Sequence, residues 1–318
     1  MLISILLMTI GFVLLVKGAD LLVDGSSSVA KRFNIPEIVI GLTVVAFGTS
    51  TPELVVSIMS DIRGYNEIVL GNVIGSNLFN ILVVLGISGL IFPLTIQRNT
   101  VWKEIPCSLA AAIILLILGN DIFLFNGQQN ILSTVDGILL LVLFFVFILY
   151  IFVFSKTNIT NQFSVTLYPP LKTAIFIIAG FAGLFLGGKL VIDNAIEIAH
   201  KFSLSEKFIG LTIIAAGTSL PELATSAVAA YKKRFDISVG NIIGSNIFNI
   251  FLVLGISASI KEIPYNQVLN FDVGLLILAT MVLFLTMFSG KKRRLDRWES
   301  LLLILTYIAY LVYLFIRK

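Results

Sequence analysis

Two glutamates lie in the same polar motif, inside segments that are otherwise apolar. Glu53 ends the run Gly-Thr-Ser-Thr-Pro-Glu at 48–53, and Glu222 ends Gly-Thr-Ser-Leu-Pro-Glu at 217–222. A carboxylate within a lipid-like segment is costly unless a cation or another partner compensates its charge. Because this costly residue occurs twice in the same setting, we predict that both glutamates bind cations.

Polar side chains accompany each glutamate at helical spacing. Steps of three and four residues place side chains on one face of a helix. The first stripe of this kind consists of Thr43, Ala46, Ser50, Glu53 and Ser57. The second consists of Thr212, Ala215, Ser219, Glu222 and Ser226. The segments that follow carry two further stripes, namely Asn72, Ser76 and Asn80, and Asn241, Ser245 and Asn249. Converging hydroxyls, amides and carboxylates are hard oxygen ligands, which suit Na⁺ and Ca²⁺.

A proline precedes each glutamate and should interrupt its helix. Proline has no N–H, so Pro52 and Pro221 leave the carbonyls of Gly48 and Gly217 without their helical donor. Unpaired backbone at membrane depth persists only where protein, water or an ion satisfies it. We therefore expect a broken helix at each motif. The glutamate should lie in the first turn of the second half, where the helix dipole favours a carboxylate.

The two motifs belong to an internal repeat with an offset of 169 residues. Aligned without a gap, windows 41–86 and 210–255 match at 24 of 46 positions. The same offset relates Gly18 to Gly187 and Asp24 to Asp193, so the duplication extends into the preceding segment. The identities fall mainly on polar residues and glycines, which indicates that a site was duplicated.

The composition is that of an integral membrane protein. Hydrophobic residues make up 58% of the 318, charged residues make up 13%, and the mean hydropathy is +1.02. About 20 apolar residues suffice for a helix to cross a bilayer. Ten segments qualify, at 2–30, 36–62, 67–92, 104–120, 133–154, 171–200, 207–231, 237–260, 268–288 and 298–316. The first has no basic leader or cleavage site, so we expect a retained helix and not a signal peptide.

Each half of the chain contains five of these segments. An odd number means that the second copy enters the membrane from the opposite side, which is typical of secondary transporters with a site near the midplane. The predicted fold is therefore an all-α membrane protein of ten transmembrane helices. They form two inverted-topology repeats of five, with helices 2 and 7 broken at the midplane. Residues 1–155 form the first repeat, 156–170 a cytoplasmic linker and 171–318 the second repeat.

The distribution of basic residues predicts the orientation. With the N-terminus outside, the cytoplasmic loops hold fourteen Lys and Arg residues and the opposite loops hold six. The positive-inside rule then places both termini outside the cell membrane. The run Lys-Lys-Arg-Arg at 291–294 is explained by this orientation, so we expect no nucleic-acid partner.

Other kinds of chemistry have little support. The single cysteine, Cys107, excludes an internal disulfide and a thiolate metal cluster. There is no nucleophile–base pair, phosphate loop or histidine metal motif, so we expect neither an enzyme nor a cofactor. We expect a monomer in contact with lipid. Asp20, Asp24, Lys189 and Asp193 lie toward the ends of helices 1 and 6, where an Asp20–Lys189 pair, snorkelling or a gating role are all open.

With these motifs in hand, the chain resembles a compact prokaryotic sodium/calcium exchanger of the cation/calcium exchanger superfamily. Gly-Thr-Ser-x-Pro-Glu and Gly-Ser-Asn-x-Phe-Asn, each present twice, carry the resemblance. It implies a core of helices 2, 3, 7 and 8 that holds the site, with long helices 1 and 6 sliding past it to alternate access. It also implies exchange of about three Na⁺ for one Ca²⁺ through overlapping sites.

The resemblance also implies a ligand set. Glu53 and Glu222 would bind Ca²⁺ and Na⁺ in turn, and Asn80 and Asn249 would border the middle of the site. Further oxygens would come from Thr49, Thr218, Ser50, Ser219, Ser76 and Ser245, and from the carbonyls of Ala46 and Ala215. Some relatives, including potassium-dependent exchangers, carry Asp where this chain has Asn249, so the asparagine argues against coupling to K⁺.

Two other functions stay open at this point. A Ca²⁺/H⁺ antiporter is one, because two close carboxylates can hold a proton when no ion is bound. A cation channel with a pore between inverted repeats is the other. Stoichiometric exchange without single-channel current would distinguish a transporter from a channel.

Overall fold

The computed structural model describes residues 2–62, 64–122, 129–154, 166–201, 215–289 and 293–316. These residues are mostly helical. In the first half the helices are α1 (Leu2–Phe33), α2 (Glu37–Thr49), α3 (Thr51–Ile62), α4 (Ile68–Ile91), α5 (Thr100–Leu118) and α6 (Thr134–Phe154). In the second half they are α7 (Pro170–Lys201), α8 (Ala215–Thr218), α9 (Leu220–Tyr231), α10 (Phe235–Ile260), α11 (Asn270–Thr286) and α12 (Arg297–Ile316).

The described helices agree with the predicted apolar segments to within a few residues. Eight of them are long and apolar enough to cross a membrane, and α2 and α3 together make a ninth span that is bent by 43°. The seventh predicted segment corresponds to α8 and α9. Its beginning, 207–214, and most of the predicted linker, 156–165, lie outside the described residues.

The two long helices α1 and α7 pack closely because glycines line their contact. A Cβ atom added to Gly18 would lie 2.8 Å from the carbonyl oxygen of Gly180, and one added to Gly187 would lie 2.7 Å from that of Gly11. Small residues let two helix backbones approach closely in membranes, where van der Waals packing drives association. The α1–α7 contact is therefore a contact of backbone against backbone.

Helices α4 and α10 form the centre of the molecule. Of their most apolar stretches, 78% and 89% of the residues are buried, against 17% for α12. Both helices contain a π-helical stretch, Asn80–Val84 in α4 and Phe248–Leu254 in α10. Such stretches interrupt the regular hydrogen-bond ladder and often occur at functional sites. Asn80 and Asn249, two of the predicted site residues, lie within them.

Two short antiparallel strand pairs connect the helix ends. Leu94–Thr95 pairs with Arg294–Leu295, and Ile131–Leu132 pairs with Ile263–Pro264. Each pair joins a loop of the first half to a loop of the second. The two halves are therefore linked at their ends as well as through the central helices.

Candidate ion-binding site

The backbone departs from α-helical dihedral angles at the residue before each Thr-Pro-Glu or Leu-Pro-Glu sequence. Ser50, between α2 and α3, has φ −83° and ψ 5°, and Ser219, between α8 and α9, has φ −91° and ψ 9°. These values lie outside the α-helical region. Glu53 and Glu222 consequently fall in the first turn of α3 and α9, as the sequence predicts.

The interruption turns each serine toward the glutamate of the other half. Ser50 Oγ donates a hydrogen bond to Glu222 Oε1 over 2.9 Å, and Ser219 Oγ donates to Glu53 Oε1 over 3.0 Å. Each carboxylate also accepts a longer bond of 3.4 Å from the helix packed beside it. Ser76 donates this bond to Glu53 and Ser245 donates it to Glu222. Two hydroxyls therefore hold one oxygen of each glutamate.

The second carboxylate oxygen of each glutamate accepts no hydrogen bond from the described part of the protein. Glu53 and Glu222 are fully buried, and within the described residues Oε2 of each lacks a hydrogen-bond partner. Neither glutamate forms an ion pair with a basic side chain in the described part of the chain. Because a buried unpaired carboxylate is very costly, this arrangement calls for a cation.

Two amide oxygens are left free in the same way. Asn80 and Asn249 are fully buried, and Oδ1 of each has no partner among the described residues. Their amide nitrogens are engaged, since Asn80 Nδ2 donates to Asn246 Oδ1 over 3.1 Å and Asn249 Nδ2 donates to Asn77 Oδ1 over 3.0 Å. Each side chain therefore keeps its carbonyl oxygen available.

Asn77 and Asn246 were not among the predicted site residues. Asn77 Nδ2 donates to the backbone carbonyl of Asn246 over 3.1 Å, and Asn246 Nδ2 donates to that of Asn77 over 3.3 Å. These reciprocal bonds join α4 to α10 and fix the Asn77 and Asn246 side chains. The Oδ1 atoms of these side chains accept the bonds from Asn249 and Asn80. The signal was present in the sequence, because both asparagines belong to the repeated Gly-Ser-Asn-x-Phe-Asn motif. They were not predicted because they do not lie on the four-residue spacing of Asn72, Ser76 and Asn80 and of its counterpart in the second half.

The predicted threonines contact asparagines of the opposite half. Thr49 Oγ1 donates to Asn241 Oδ1 over 3.0 Å, and Thr218 Oγ1 donates to Asn72 Oδ1 over 3.4 Å. These asparagines in turn donate 3.0 Å bonds to Ser226 and Ser57 respectively. The threonines thus lie at the site, and the Thr49 hydroxyl proton has two alternative acceptors, Asn241 Oδ1 at 3.0 Å and the Ala46 carbonyl at 3.4 Å.

Of the two predicted backbone ligands, Ala46 lies within a continuous described stretch of the chain and Ala215 lies at the edge of one. The Ala46 carbonyl accepts bonds from the Ser50 amide over 3.0 Å and from the Thr49 hydroxyl over 3.4 Å. Ala215 is the first described residue of α8. Its preceding residue and its stripe partner Thr212 lie outside the described residues.

The acidic residues of α1 do not pair as suggested by the sequence. Lys232, just after α9, places Nζ 2.7 Å from Asp20 Oδ1 and 2.6 Å from Asp24 Oδ1. A pairing of Asp20 with Lys189 is therefore wrong for this structure. Lys232 reaches these acids because α9 packs along α1, which sequence spacing does not reveal.

Taken together, the fold and site define a helical membrane protein with a buried cluster of carboxylates, amides and hydroxyls to which both halves of the chain contribute. A family model described as sodium/calcium exchanger protein matches residues 3–153 and 172–316. The chain belongs to the sodium/calcium exchanger family.

Individual relatives cover nearly the whole chain. The sodium/calcium exchanger MaX1 of Methanosarcina acetivorans is 31% identical over 355 residues, covering 98% of this chain and 99% of the relative. The inner membrane protein YrbG of Escherichia coli strain K12 is 38% identical over 271 residues, covering 82% of this chain and 81% of its own. A structure of the sodium-calcium exchanger NCX_Mj, soaked with Na⁺ and Sr²⁺, superposes with a TM-score of 0.83 at 31% identity and covers 98% of both chains.

Proposed function

We propose that this protein is a secondary antiporter that exchanges Na⁺ for Ca²⁺ across the cell membrane by alternating access. The observation that carries the proposal is a set of four buried oxygens that accept no hydrogen bond from the described residues, one each from Glu53, Glu222, Asn80 and Asn249. Two carboxylates and two amide carbonyls form a hard, anionic ligand set that suits Ca²⁺ and Na⁺. Two relatives named as sodium/calcium exchangers support the choice of ions.

Competition between Na⁺ and Ca²⁺ for this charged site gives a physical basis for exchange. Ca²⁺ and Na⁺ would compete for the same two carboxylates, so binding of one ion displaces the other. We propose that Thr49, Thr218, Ser50, Ser219, Ser76 and Ser245 and the carbonyls of Ala46 and Ala215 complete the overlapping sites as helices move. A stoichiometry of about three Na⁺ per Ca²⁺ would make each cycle move one net charge.

The reciprocal contacts support the inverted-repeat architecture that we propose. Ser50–Glu222 and Ser219–Glu53, and likewise the Asn77–Asn246 pair, exchange places under the offset of 169 residues. A pseudo-two-fold axis through the site produces such pairs. We propose ten spans in two repeats of five, 1–155 and 171–318, joined by a cytoplasmic linker at 156–170, with both termini outside and the protein acting as a monomer.

Flux in proteoliposomes tests the function. Vesicles loaded with Na⁺ and diluted into choline medium should take up Ca²⁺. Vesicles with equal Na⁺ on both sides, or treated with a Na⁺ ionophore, should not. Uptake driven equally well by a pH gradient without Na⁺ would instead identify a Ca²⁺/H⁺ antiporter. Single-channel current across a planar bilayer would identify a channel.

A further inference from the structure

The stripe of buried polar residues that includes Glu53 continues toward the end of α3. The buried residues of this helix are Glu53, Ser57 and Asp61, spaced four apart. Ser57 accepts a 3.0 Å bond from Asn72, whose amide also donates to the Glu53 backbone carbonyl over 3.2 Å. With a rise of about 1.5 Å per residue, Asp61 lies roughly 12 Å from Glu53 along the helix. Oxygen atoms thus follow the helix from the central site to its end.

Like Glu53 and Glu222, Asp61 has buried carboxylate oxygens that accept no hydrogen bond from the described residues. Its side chain is fully buried, and both carboxylate oxygens lack a hydrogen-bond partner in the part of the chain that the structure describes. In Glu53 and Glu222 only one oxygen is left without a partner. Asp61 has fewer protein atoms around it than the two glutamates, so its burial is shallower, yet a covered carboxylate without a partner is still unfavourable.

The position of Asp61 in its helix adds to this cost. The residue lies in the last turn of α3, which ends at Ile62. Although the Asp61 and Ser60 carbonyls accept bonds from the Gly64 and Tyr65 amides, the aligned peptide dipoles give a helix C-terminus a partial negative charge, which favours cations and disfavours carboxylates. Lys261 is near enough to act on Asp61 through its charge, yet no ion pair joins them within the described residues. A mobile cation would compensate both the carboxylate and the helix end.

The second half of the chain lacks this acid. The offset of 169 residues relates the stripe Glu53, Ser57 and Asp61 to Glu222, Ser226 and Ala230. Ala230 is fully buried in α9, so the equivalent place is filled by a methyl group. Only one of the two equivalent stripes therefore ends in a carboxylate.

We propose that Asp61 is a second cation-binding residue, which holds a hard cation, Ca²⁺ or Na⁺, on its passage between one side of the membrane and Glu53. This proposal rests on the proposed exchange function, because it assumes that ions reach Glu53 from that side. Under the predicted orientation, the Asp61 side is the outer one. A carboxylate at the end of a narrow route raises the local concentration of cations and their rate of entry.

The test compares ion affinity from the two sides in right-side-out and inside-out membrane vesicles. Asp61→Asn removes the charge and keeps the shape, and Asp61→Ala copies the residue that the fold accepts at Ala230. Glu262→Gln is the matched control, since it removes an exposed carboxylate next to Lys261. The apparent affinities for Ca²⁺ and for Na⁺ are measured separately from each side.

We expect both Asp61 variants to weaken the apparent affinity for Ca²⁺, for Na⁺ or for both by about tenfold from the Asp61 side, in line with the effect of charged clefts on entry rates. The maximal rate, the affinity from the other side and the Glu262→Gln protein should stay as in the wild type. Unchanged affinities, an equal change from both sides, or a loss of maximal rate alone would overturn the proposal. Absence of Na⁺-dependent Ca²⁺ flux in the wild type would instead refute the exchange function.

Discussion

Ser50 donates a 2.9 Å hydrogen bond to Glu222, so a hydroxyl from one copy of the repeated motif holds the carboxylate of the other copy. The bond exists because the chain leaves helical geometry at Ser50, which directs the hydroxyl across the site instead of along its own helix. Neither copy of the motif forms a complete site by itself.

Loss of this hydroxyl should weaken Ca²⁺ binding without abolishing exchange. A hydrogen bond to a charged group contributes about 1.5–3 kcal/mol, so Ser50→Ala should raise the Ca²⁺ concentration for half-maximal uptake by about tenfold or more. Thr51→Ala is the matched control, because the neighbouring Thr51 hydroxyl donates to the Phe47 carbonyl four residues earlier and not to a glutamate. Equal effects of the two substitutions would show that the Ser50–Glu222 bond has no special part in binding.

Neutralising either glutamate should abolish Ca²⁺ exchange. Glu53→Gln and Glu222→Gln each remove one of the two charges that face the ion in a buried site, where charged contacts count for far more than neutral ones. We expect Na⁺-driven Ca²⁺ uptake below detection in both variants, with normal elution as a folded protein. Near-normal flux in either variant would refute its assignment as a ligand.

Membrane potential should change the rate of exchange. If three Na⁺ leave as one Ca²⁺ enters, each cycle moves one charge, which is worth about 2.3 kcal/mol per 100 mV across the full field. An inside-positive potential, set with K⁺ and valinomycin, should therefore speed Ca²⁺ uptake into Na⁺-loaded vesicles. A rate independent of potential would indicate electroneutral exchange.

A carboxylate in place of Asn249 should make exchange more sensitive to pH. Asn249 contributes a free amide oxygen but no charge. Asn249→Asp adds a third acid to a buried site, and neighbouring carboxylates cannot all ionise at low cost, so one should bind a proton near neutral pH. We expect a steeper pH dependence of Ca²⁺ uptake in the variant. The wild type should exchange equally in K⁺ and choline media, and a requirement for K⁺ would contradict our interpretation of Asn249.

The ion pairs of Lys232 should contribute modestly to stability. Its partners Asp20 and Asp24 have side chains that are 43% and 34% exposed, and exposed ion pairs are typically worth at most about 1 kcal/mol. Lys232→Met should lower the unfolding temperature in detergent by only a few degrees. The difference should shrink at high salt, which screens exposed charges. A difference that persists at high salt would show that packing, and not charge, accounts for the change.

Much of the helical architecture could be predicted from the sequence, because hydropathy depends on composition alone. The bounds of α6, Thr134–Phe154, and of α12, Arg297–Ile316, match the predicted segments 133–154 and 298–316 closely. Hydropathy could not show which helices are central. The most apolar stretches of α4 and α12 have the same mean hydropathy of 2.0, yet 78% of the α4 residues and 17% of the α12 residues are buried.

Most residues of the candidate site could be predicted from the sequence, but the hydrogen bonds between them could not. The repeat and helical spacing identified Glu53, Glu222 and the two serines, Ser50 and Ser219, that donate to them across the site. That each serine serves the opposite glutamate depends on the angle between two half-helices, which has no sequence signature. Asp61 was passed over for a related reason, since an acid near a helix end is common and its burial depends on what packs around it.

The close contact between Gly18 and Gly180 limits how α1 and α7 can move relative to each other. With no side chains between their backbones, α1 and α7 cannot rotate or separate independently without opening a void. If these two helices control the entrances to the site, they must move as one rigid body, so that opening one entrance closes the other in the same displacement. Under the proposed alternating-access mechanism, a conformation open at both ends would require the two backbones to part, which the close glycine contact disfavours.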